Sequence, residues 1–233
     1  MVSVKGLQKT SLIDYPDNVC ATVFLGGCNF RCPYCYNTQL VLEPEKLPSM
    51  SEGQLLDFLE GRKKLLDGVC ITGGEPTMQK DLPELIERIK KIGLKVKLDT
   101  NGSNPRMLRE LIEEKLLDFI AMDIKAPLEK YGKVTCVKID SEKIRQSAEL
   151  VKKSGIDYEF RSTVLPELFL KEDALKIGEW LNGAKVFYLQ QFRPMQGTLD
   201  PSYAKKKPYT REELDELRKA MEPFFRKVEI RNA

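Results

Sequence analysis

Gly27-Cys28-Asn29-Phe30-Arg31-Cys32-Pro33-Tyr34-Cys35-Tyr36-Asn37 follows directly on the apolar run Val19-Cys20-Ala21-Thr22-Val23-Phe24-Leu25. The run reads as a buried strand, and three thiols at spacings of four and three residues crowd the loop at its end. A strand that ends in a compact loop of thiols is a good place for a metal. A structural zinc ion takes four ligands in tetrahedral geometry. The chain has no histidine, so a fourth ligand would have to be Cys20, Cys70, Cys136 or a carboxylate from elsewhere. An iron–sulfur cluster is held by cysteine thiolates, and three thiols on a four-iron cluster leave one iron open to a small ligand. A disulfide is disfavoured, because cysteines this close in a chain with no secretory signal read as metal or redox ligands. Spacing alone favours the cluster over zinc without deciding between them.

The pattern C-x3-C-x2-C, with the aromatic Tyr34 just before the third cysteine, resembles the signature of the radical S-adenosylmethionine (radical SAM) enzymes. The resemblance is closest to the activating enzymes of glycyl-radical enzymes. Within these it is closest to the subgroup that activates anaerobic ribonucleoside-triphosphate reductase. The opening Gly6-Leu7-Gln8-Lys9-Thr10-Ser11-Leu12-Ile13-Asp14-Tyr15-Pro16 and the cysteine loop carry it. It covers nearly the whole chain and is weakest after Met195.

Composition is compatible with this. A chain of 233 residues is long enough for one substantial core, and an α/β barrel can run this long as one domain. No internal linker or low-complexity run breaks it, so residues 1–233 read as a single domain. No stretch reaches the length of a membrane span. Met1 to Thr10 lack an apolar signal core, and six cysteines then suit a reducing, anaerobic cytoplasm. A net charge of +3 implies neither nucleic acid nor membrane as a partner. Lysines cluster at Lys63-Lys64, Lys90-Lys91, Lys152-Lys153 and Lys205-Lys206-Lys207. These read as solvated helix ends and loops, with a docking patch for an acidic redox partner as the alternative.

Six strand-like runs alternate with segments of helical periodicity: Val19–Leu25, Val69–Thr72, Leu94–Asp99, Phe119–Lys125, Tyr158–Val164 and Val186–Phe192. Ser51 with Gln54 and Thr210 with Glu213 read as capping boxes. Asn104 reads as a cap with Pro105 in the first turn. Val228 to Ile230 could add a short terminal strand. Alternating strands and helices predict a parallel sheet with right-handed crossovers. Too few strands are present for eight-fold closure, so an open, partial (β/α)6 barrel is expected. The resemblance implies the same radical SAM fold, with a doubly wound sheet as the alternative. Several strands alternate polar and apolar residues, as in Lys95, Lys97 and Asp99 or Glu159, Arg161 and Thr163. One face of each would pack on helices while the other points into a polar barrel interior.

Motifs at the strand ends supply candidate site residues. Thr72-Gly73-Gly74-Glu75-Pro76-Thr77 is a tight turn by itself, although two glycines also let backbone approach a ligand closely. The resemblance implies that Gly73, Gly74 and Glu75 hold the methionyl ammonium of S-adenosylmethionine. Asp99-Thr100-Asn101-Gly102 and Asp123-Ile124-Lys125 read as a turn and an ion pair. By resemblance, Asp99, Thr100 and Asp123 would bind a monovalent cation, and Lys125 the ligand carboxylate or a peptide substrate. Arg161 would face the ligand. Related activating enzymes often carry histidine at the positions of Tyr36 and Arg193. Cys20 and Cys70 read as small buried residues, and Trp180 as core. The resemblance further implies that Cys28, Cys32 and Cys35 hold a [4Fe–4S] cluster. An electron from a flavodoxin or ferredoxin then cleaves S-adenosylmethionine, and a glycyl radical forms on a partner enzyme. Pyruvate formate-lyase, another glycyl-radical enzyme or a small molecule are the alternative substrates.

Overall fold

The structure of the chain, a computed structural model, describes residues 2–195 and 197–231. Eight strands form one sheet in sequence order. β1 (Val4–Ser11) is antiparallel to β2 (Cys20–Leu25). β3 (Gly68–Gly73), β4 (Lys95–Thr100), β5 (Phe119–Asp123), β6 (Asp157–Val164), β7 (Ala184–Gln191) and β8 (Phe225–Arg231) follow, each parallel to its predecessor. α1 (Thr38–Leu42) and α2 (Glu52–Arg62) connect β2 to β3. α3 (Leu82–Ile92), α4 (Pro105–Glu113), the pair α5 (Tyr131–Thr135) and α6 (Ser141–Lys153), α7 (Lys171–Trp180) and α8 (Arg211–Met221) fill the later connections. From β2 to α8 this is the expected (β/α)6 unit. β1 and β8 are the outer strands of the sheet and do not pair, so the barrel stays open.

Those outer strands are where the expected architecture is extended. β1 was not visible as a strand because Lys5, Gln8, Lys9 and Thr10 obscure any apolar period. It runs along the sheet edge with register shifts at Val4/Gly6 and Gln8/Ser11, and polar, irregular edges are how sheets avoid pairing with other chains. β8 extends the expected Val228–Ile230 in both directions. β5 stops at Asp123, so Lys125 lies just beyond the strand.

The alternating pattern sorts the strand faces. Val23, Leu25, Ile71, Val96, Leu98, Ile120, Met122, Phe160 and Leu189 are fully buried and pack with helix residues such as Leu55, Leu85, Ile86, Leu111, Ile144 and Ile177. Each such side chain contributes about 1.5–3 kcal/mol. Ser51 with Gln54 and Thr210 with Glu213 form the two expected capping boxes, and Asn104 caps α4 by accepting from the Met107 N–H. The opposite strand face carries Thr22, Cys70, Lys97, Asp99, Asp123, Glu159 and Arg161. Register sets Cys70 beside Lys97 and Asp123 beside Arg161. Cys20 and Cys70 are fully buried with Tyr15 in a small separate cluster. Trp180 is only half-buried at the end of α7.

Candidate active site

Backbone hydrogen bonds fasten the start of the cysteine loop to the tip of β3. Gly74 N–H donates to Leu25 O at 2.9 Å and Glu75 N–H to Gly27 O at 2.8 Å. A Cβ on Gly74 would stand 1.9 Å from Gly27 O, and one on Gly73 (φ +121°) would stand 2.4 Å from Leu25 N and O. Only glycine permits this approach. Asn37 locks the far end of the loop, its Nδ2 donating to Gly73 O at 3.0 Å.

Between these anchors Cys28, Cys32 and Cys35 are free thiols. Cys35 N–H closes a turn on Cys32 O at 3.0 Å. The Arg31 guanidinium holds Cys28 O and Phe30 O at 2.7 and 2.8 Å, which curls the first half of the loop. Phe30 N–H lies 3.4 Å and Asn101 Nδ2 3.9 Å from Cys28 Sγ. Burial pushes the Cys32 thiol up to about 12 and raises Cys28 as well, so a metal that binds here displaces protons. Among the described residues, no three His, Cys, Asp or Glu side chains converge as ligands of a single metal ion would. Thiols on a four-iron cube each bind a different iron, which tolerates this wider spacing.

Glu75 turns inward rather than toward solvent and is 1% exposed. Its Oε1 accepts from Thr77 N–H at 3.2 Å, from the Thr77 hydroxyl and from Thr100 Oγ1 at 2.6 Å, while Oε2 accepts from Asn101 N–H at 2.7 Å. Asn101 Nδ2 also reaches Asn29 Oδ1 at 3.0 Å. Glu75 and Asn101 therefore tie the tips of β3 and β4 to the cysteine loop. Burial raises the Glu75 carboxyl above its ordinary value, with the hydrogen bonds from Thr100 and Thr77 working against that rise.

The other carboxylates are held by cations. Asp99 takes Lys97 on one oxygen and Arg161 Nη2 on the other, the latter at 3.0 Å. Asp123 takes Arg161 Nε at 2.5 Å and Lys125 Nζ at 3.0 Å. Glu159 accepts both guanidinium nitrogens of Arg231 at 2.8 Å. Burial pushes Asp123 and Asp99 up, and Arg161 with Lys125 or Lys97 more than reverses it, leaving both below the usual carboxylate range. All four oxygens expected to bind a monovalent cation thus accept from side-chain cations, and Thr100 donates to Glu75. Lys97, Lys125, Arg161 and Arg231 outnumber Asp99, Asp123 and Glu159 by one positive charge.

One cavity of about 280 Å3 collects these parts. Cys28, Cys32, Tyr34, Cys35, Gly73, Gly74, Glu75, Asp99, Thr100, Asp123, Lys125 and Arg161 all line it, which is every site residue expected from sequence. Asn37, Asn101, Thr163 and Gln190 line it too. Asn37 and Asn101 were missed because an asparagine in a loop reads as turn chemistry, and Thr163 and Gln190 because a lone polar residue on a strand carries no spacing signal. Tyr36 and Arg193, the two departures from the related pattern, meet each other. Tyr36 OH donates to Arg193 O at 2.5 Å and accepts from Arg193 N–H at 2.9 Å, while its ring stacks on Phe192.

The sequence pattern of the radical SAM superfamily matches residues 22–176. The chain belongs to the radical SAM superfamily. A Methanocaldococcus jannaschii protein provisionally named a glycyl-radical enzyme activating enzyme is 36% identical, over 98% of this chain and 95% of its own. Solved structures share the fold. Streptococcus suis SuiB bound to S-adenosylmethionine superposes with a TM-score of 0.67 at 15% identity, covering 87% of this chain and 48% of that one. A domain of the pyruvate-formate lyase-activating enzyme of Bacteroides vulgatus gives 0.58 at 15% identity, covering 71% of this chain and 99% of the domain. As a radical SAM enzyme the chain uses a [4Fe–4S] cluster and S-adenosylmethionine. Its residues fit both. Three free thiols line one cavity, N–H donors approach a thiol sulfur as they do cluster ligands, and the buried Tyr34 hydroxyl beside them has no hydrogen-bond partner.

Proposed function

We propose that this radical SAM enzyme generates a glycyl radical on a partner protein, with anaerobic ribonucleoside-triphosphate reductase as the partner. A second cavity, of about 470 Å3, carries the reading. It shares the wall residues Asp99, Arg161 and Gln190 with the cofactor cavity and is lined also by Ile13, Asp14 and Arg231. Ile13 is 87% and its neighbour Leu12 74% exposed, so two apolar side chains stand at the surface beside this second cavity. A peptide loop can enter there while cofactors fill the inner cavity. The end-to-end similarity to a provisionally named activating enzyme supports a protein substrate. The partner's identity rests on the motif Gly6–Pro16.

When bound, the cluster and S-adenosylmethionine would supply the radical chemistry that abstracts a hydrogen from the glycine α-carbon. The chain's residues set the geometry. Cys28, Cys32 and Cys35 hold the cluster. The Gly73-Gly74 backbone offers carbonyls to the methionyl ammonium, while Glu75 stiffens that floor. The single excess positive charge of the Lys97–Arg231 network, through Lys125 or Arg161, offsets the ligand carboxylate. Tyr34 lines the same cavity beside the thiols. No side-chain acid or base is required, since the chemistry is the cofactor's. The protein works in a reducing cytoplasm, and among the described residues no helix is long and apolar enough to cross a membrane.

The test is anaerobic reconstitution with iron and sulfide, then S-adenosylmethionine and dithionite. 5′-Deoxyadenosine is expected from the unmodified protein and from none of Cys28→Ala, Cys32→Ala or Cys35→Ala. Electron paramagnetic resonance should then show a glycyl doublet on anaerobic ribonucleoside-triphosphate reductase. A doublet on pyruvate formate-lyase alone would reassign the partner. Cleavage with no protein radical on any glycyl-radical enzyme would point to a small-molecule substrate.

A further inference from the structure

Three segments meet around the outside of the cysteine loop. Leu199 N–H donates to Cys35 O at 3.0 Å and Asp200 N–H to Pro33 O at 2.9 Å, so the chain after β7 straps directly across the thiols. On another side Arg31 N–H donates to Thr135 O at 2.8 Å, which brings the end of α5 against the same loop.

Charge on these segments is one-sided. Within Gly26–Asn37 the one charged residue is Arg31. Lys133 to Lys138 contributes two lysines and no acid. Arg193 to Lys207 contributes Arg193, Lys205, Lys206 and Lys207 against a single carboxylate, Asp200. The three segments thus carry seven cationic side chains and one carboxylate of their own, in a chain whose totals are 38 and 35. Asp200 is engaged in accepting from Ser202 N–H at 2.9 Å. Lys206 is paired with Glu167 at 2.6 Å. Lys133, Lys138, Lys205 and Lys207 are exposed. Of the four lysine clusters in the sequence, this one follows the strap that hydrogen-bonds to the cysteine loop at Leu199 and Asp200. The Lys63-Lys64 cluster follows α2, on the connection into the start of β3, away from the strand tips.

We propose that this basic face, with Lys205 and Lys207 at its centre, docks the electron donor, an acidic one-electron carrier protein of the flavodoxin class. The inference rests on the radical SAM reading of the site. Electron transfer needs a short path to the cluster, and the strap that carries the lysines is hydrogen-bonded to the carbonyls of Pro33 and Cys35. One electron passes from an anionic flavin hydroquinone, which becomes the neutral semiquinone, and the cluster falls from the 2+ to the 1+ state. Complementary charge raises the encounter rate, most strongly at low ionic strength.

The reconstituted protein is compared with Lys205→Glu/Lys207→Glu and with Lys63→Glu/Lys64→Glu, which makes the same charge change elsewhere. Cluster reduction by flavodoxin hydroquinone is followed by stopped-flow absorbance, and photoreduced 5-deazariboflavin serves as an uncharged reductant. The Lys205/Lys207 variant is expected to be reduced about tenfold more slowly at 0.01 M salt. The gap should close near 1 M, where the screening length falls from about 30 Å to about 3 Å. The Lys63/Lys64 variant should stay within about twofold of the unmodified protein, and deazariboflavin should reduce all three alike. Equal flavodoxin rates, or equal slowing by the two variants, would overturn the docking assignment. So would a loss of glycyl-radical formation in the Lys205/Lys207 variant with deazariboflavin, which would give the face to the radical-accepting enzyme instead. Failure of the unmodified protein to cleave S-adenosylmethionine with deazariboflavin would instead sink the functional reading itself.

Discussion

Glu75 and Asp123 are both carboxylates at the ends of barrel strands, and both line the cofactor cavity, yet they are held in opposite ways. Glu75 receives only neutral donors, from Thr77, Thr100 and Asn101. Asp123, with Asp99 beside it, receives only cations. Burial therefore wins at Glu75 and raises its carboxyl, whereas Arg161 and its lysines win at Asp123 and lower it. Neutral donors fix a carboxylate in place without settling its charge. Cations settle the charge and make each partner depend on the others. The first arrangement suits a rigid floor under the cysteine loop. The second suits a wall that must carry a net positive charge toward a ligand.

Removing one partner from the ionic wall should have the largest effect on stability. Lys97 is 2% exposed, and besides Asp99 it reaches Cys70 Sγ at 3.7 Å. Asp99→Asn strands that ammonium, which typically costs about 3–5 kcal/mol, or roughly 6–20 °C in Tm for a chain of this length. Adding Lys97→Met should recover most of the loss, because a buried pair replaced by apolar groups is close to neutral. Thermal melts of the metal-free protein read both. Failure of the double variant to recover would mean that Asp99 matters for packing rather than for charge.

Glu75→Gln should be milder. It keeps one acceptor oxygen but turns an amide NH2 toward a donor, leaving one buried hydrogen bond unmade at a cost of about 1–3 kcal/mol. The same change should loosen the cysteine loop through Asn101, visible as faster loss of iron to a chelator. A loss in stability as large as that of Asp99→Asn would erase the distinction between the two regions.

The two regions also differ in how far the sequence reveals them. The ionic wall was legible: Lys97, Asp99 and Arg161 alternate with apolar neighbours, and a period of two on a strand can only place them on one face. The Cys28–Cys35 spacing was legible as a metal-binding loop and the Gly73-Gly74 pair as a tight turn, while the resemblance alone implied their cluster and ligand roles. The Glu75 network was not. Its donors come from residues 77, 100 and 101, and no periodicity relates the tip of β3 to the tip of β4. The meeting of Tyr36 with Arg193 and the strap at Leu199 and Asp200 are likewise contacts of long sequence separation. β1 escaped because an edge strand has no need of an apolar face, and Arg231 escaped because a terminal strand of three residues was expected where seven form.

A smaller effect separates the two carboxylates by sign. Asp123 has a folded value below its ordinary 3.8, so its ionised form stabilises the fold. That contribution is fully present above 3.8 and is lost only as pH falls below it through the folded value. Glu75 has a folded value above its ordinary 4.5, so its protonated form is the favoured one. Its contribution is fully present below 4.5 and is lost as pH rises through the folded value. Stability relative to Glu75→Gln should therefore increase as pH falls from 7 to 4.5, by no more than about 1.4 kcal/mol per pH unit for one proton. Stability relative to Asp123→Asn should stay flat over that window and decline only below 3.8. Urea titrations of the three proteins at several pH values measure both slopes. Parallel slopes would show that the neutral donors around Glu75 compensate its burial as fully as the cations compensate that of Asp123.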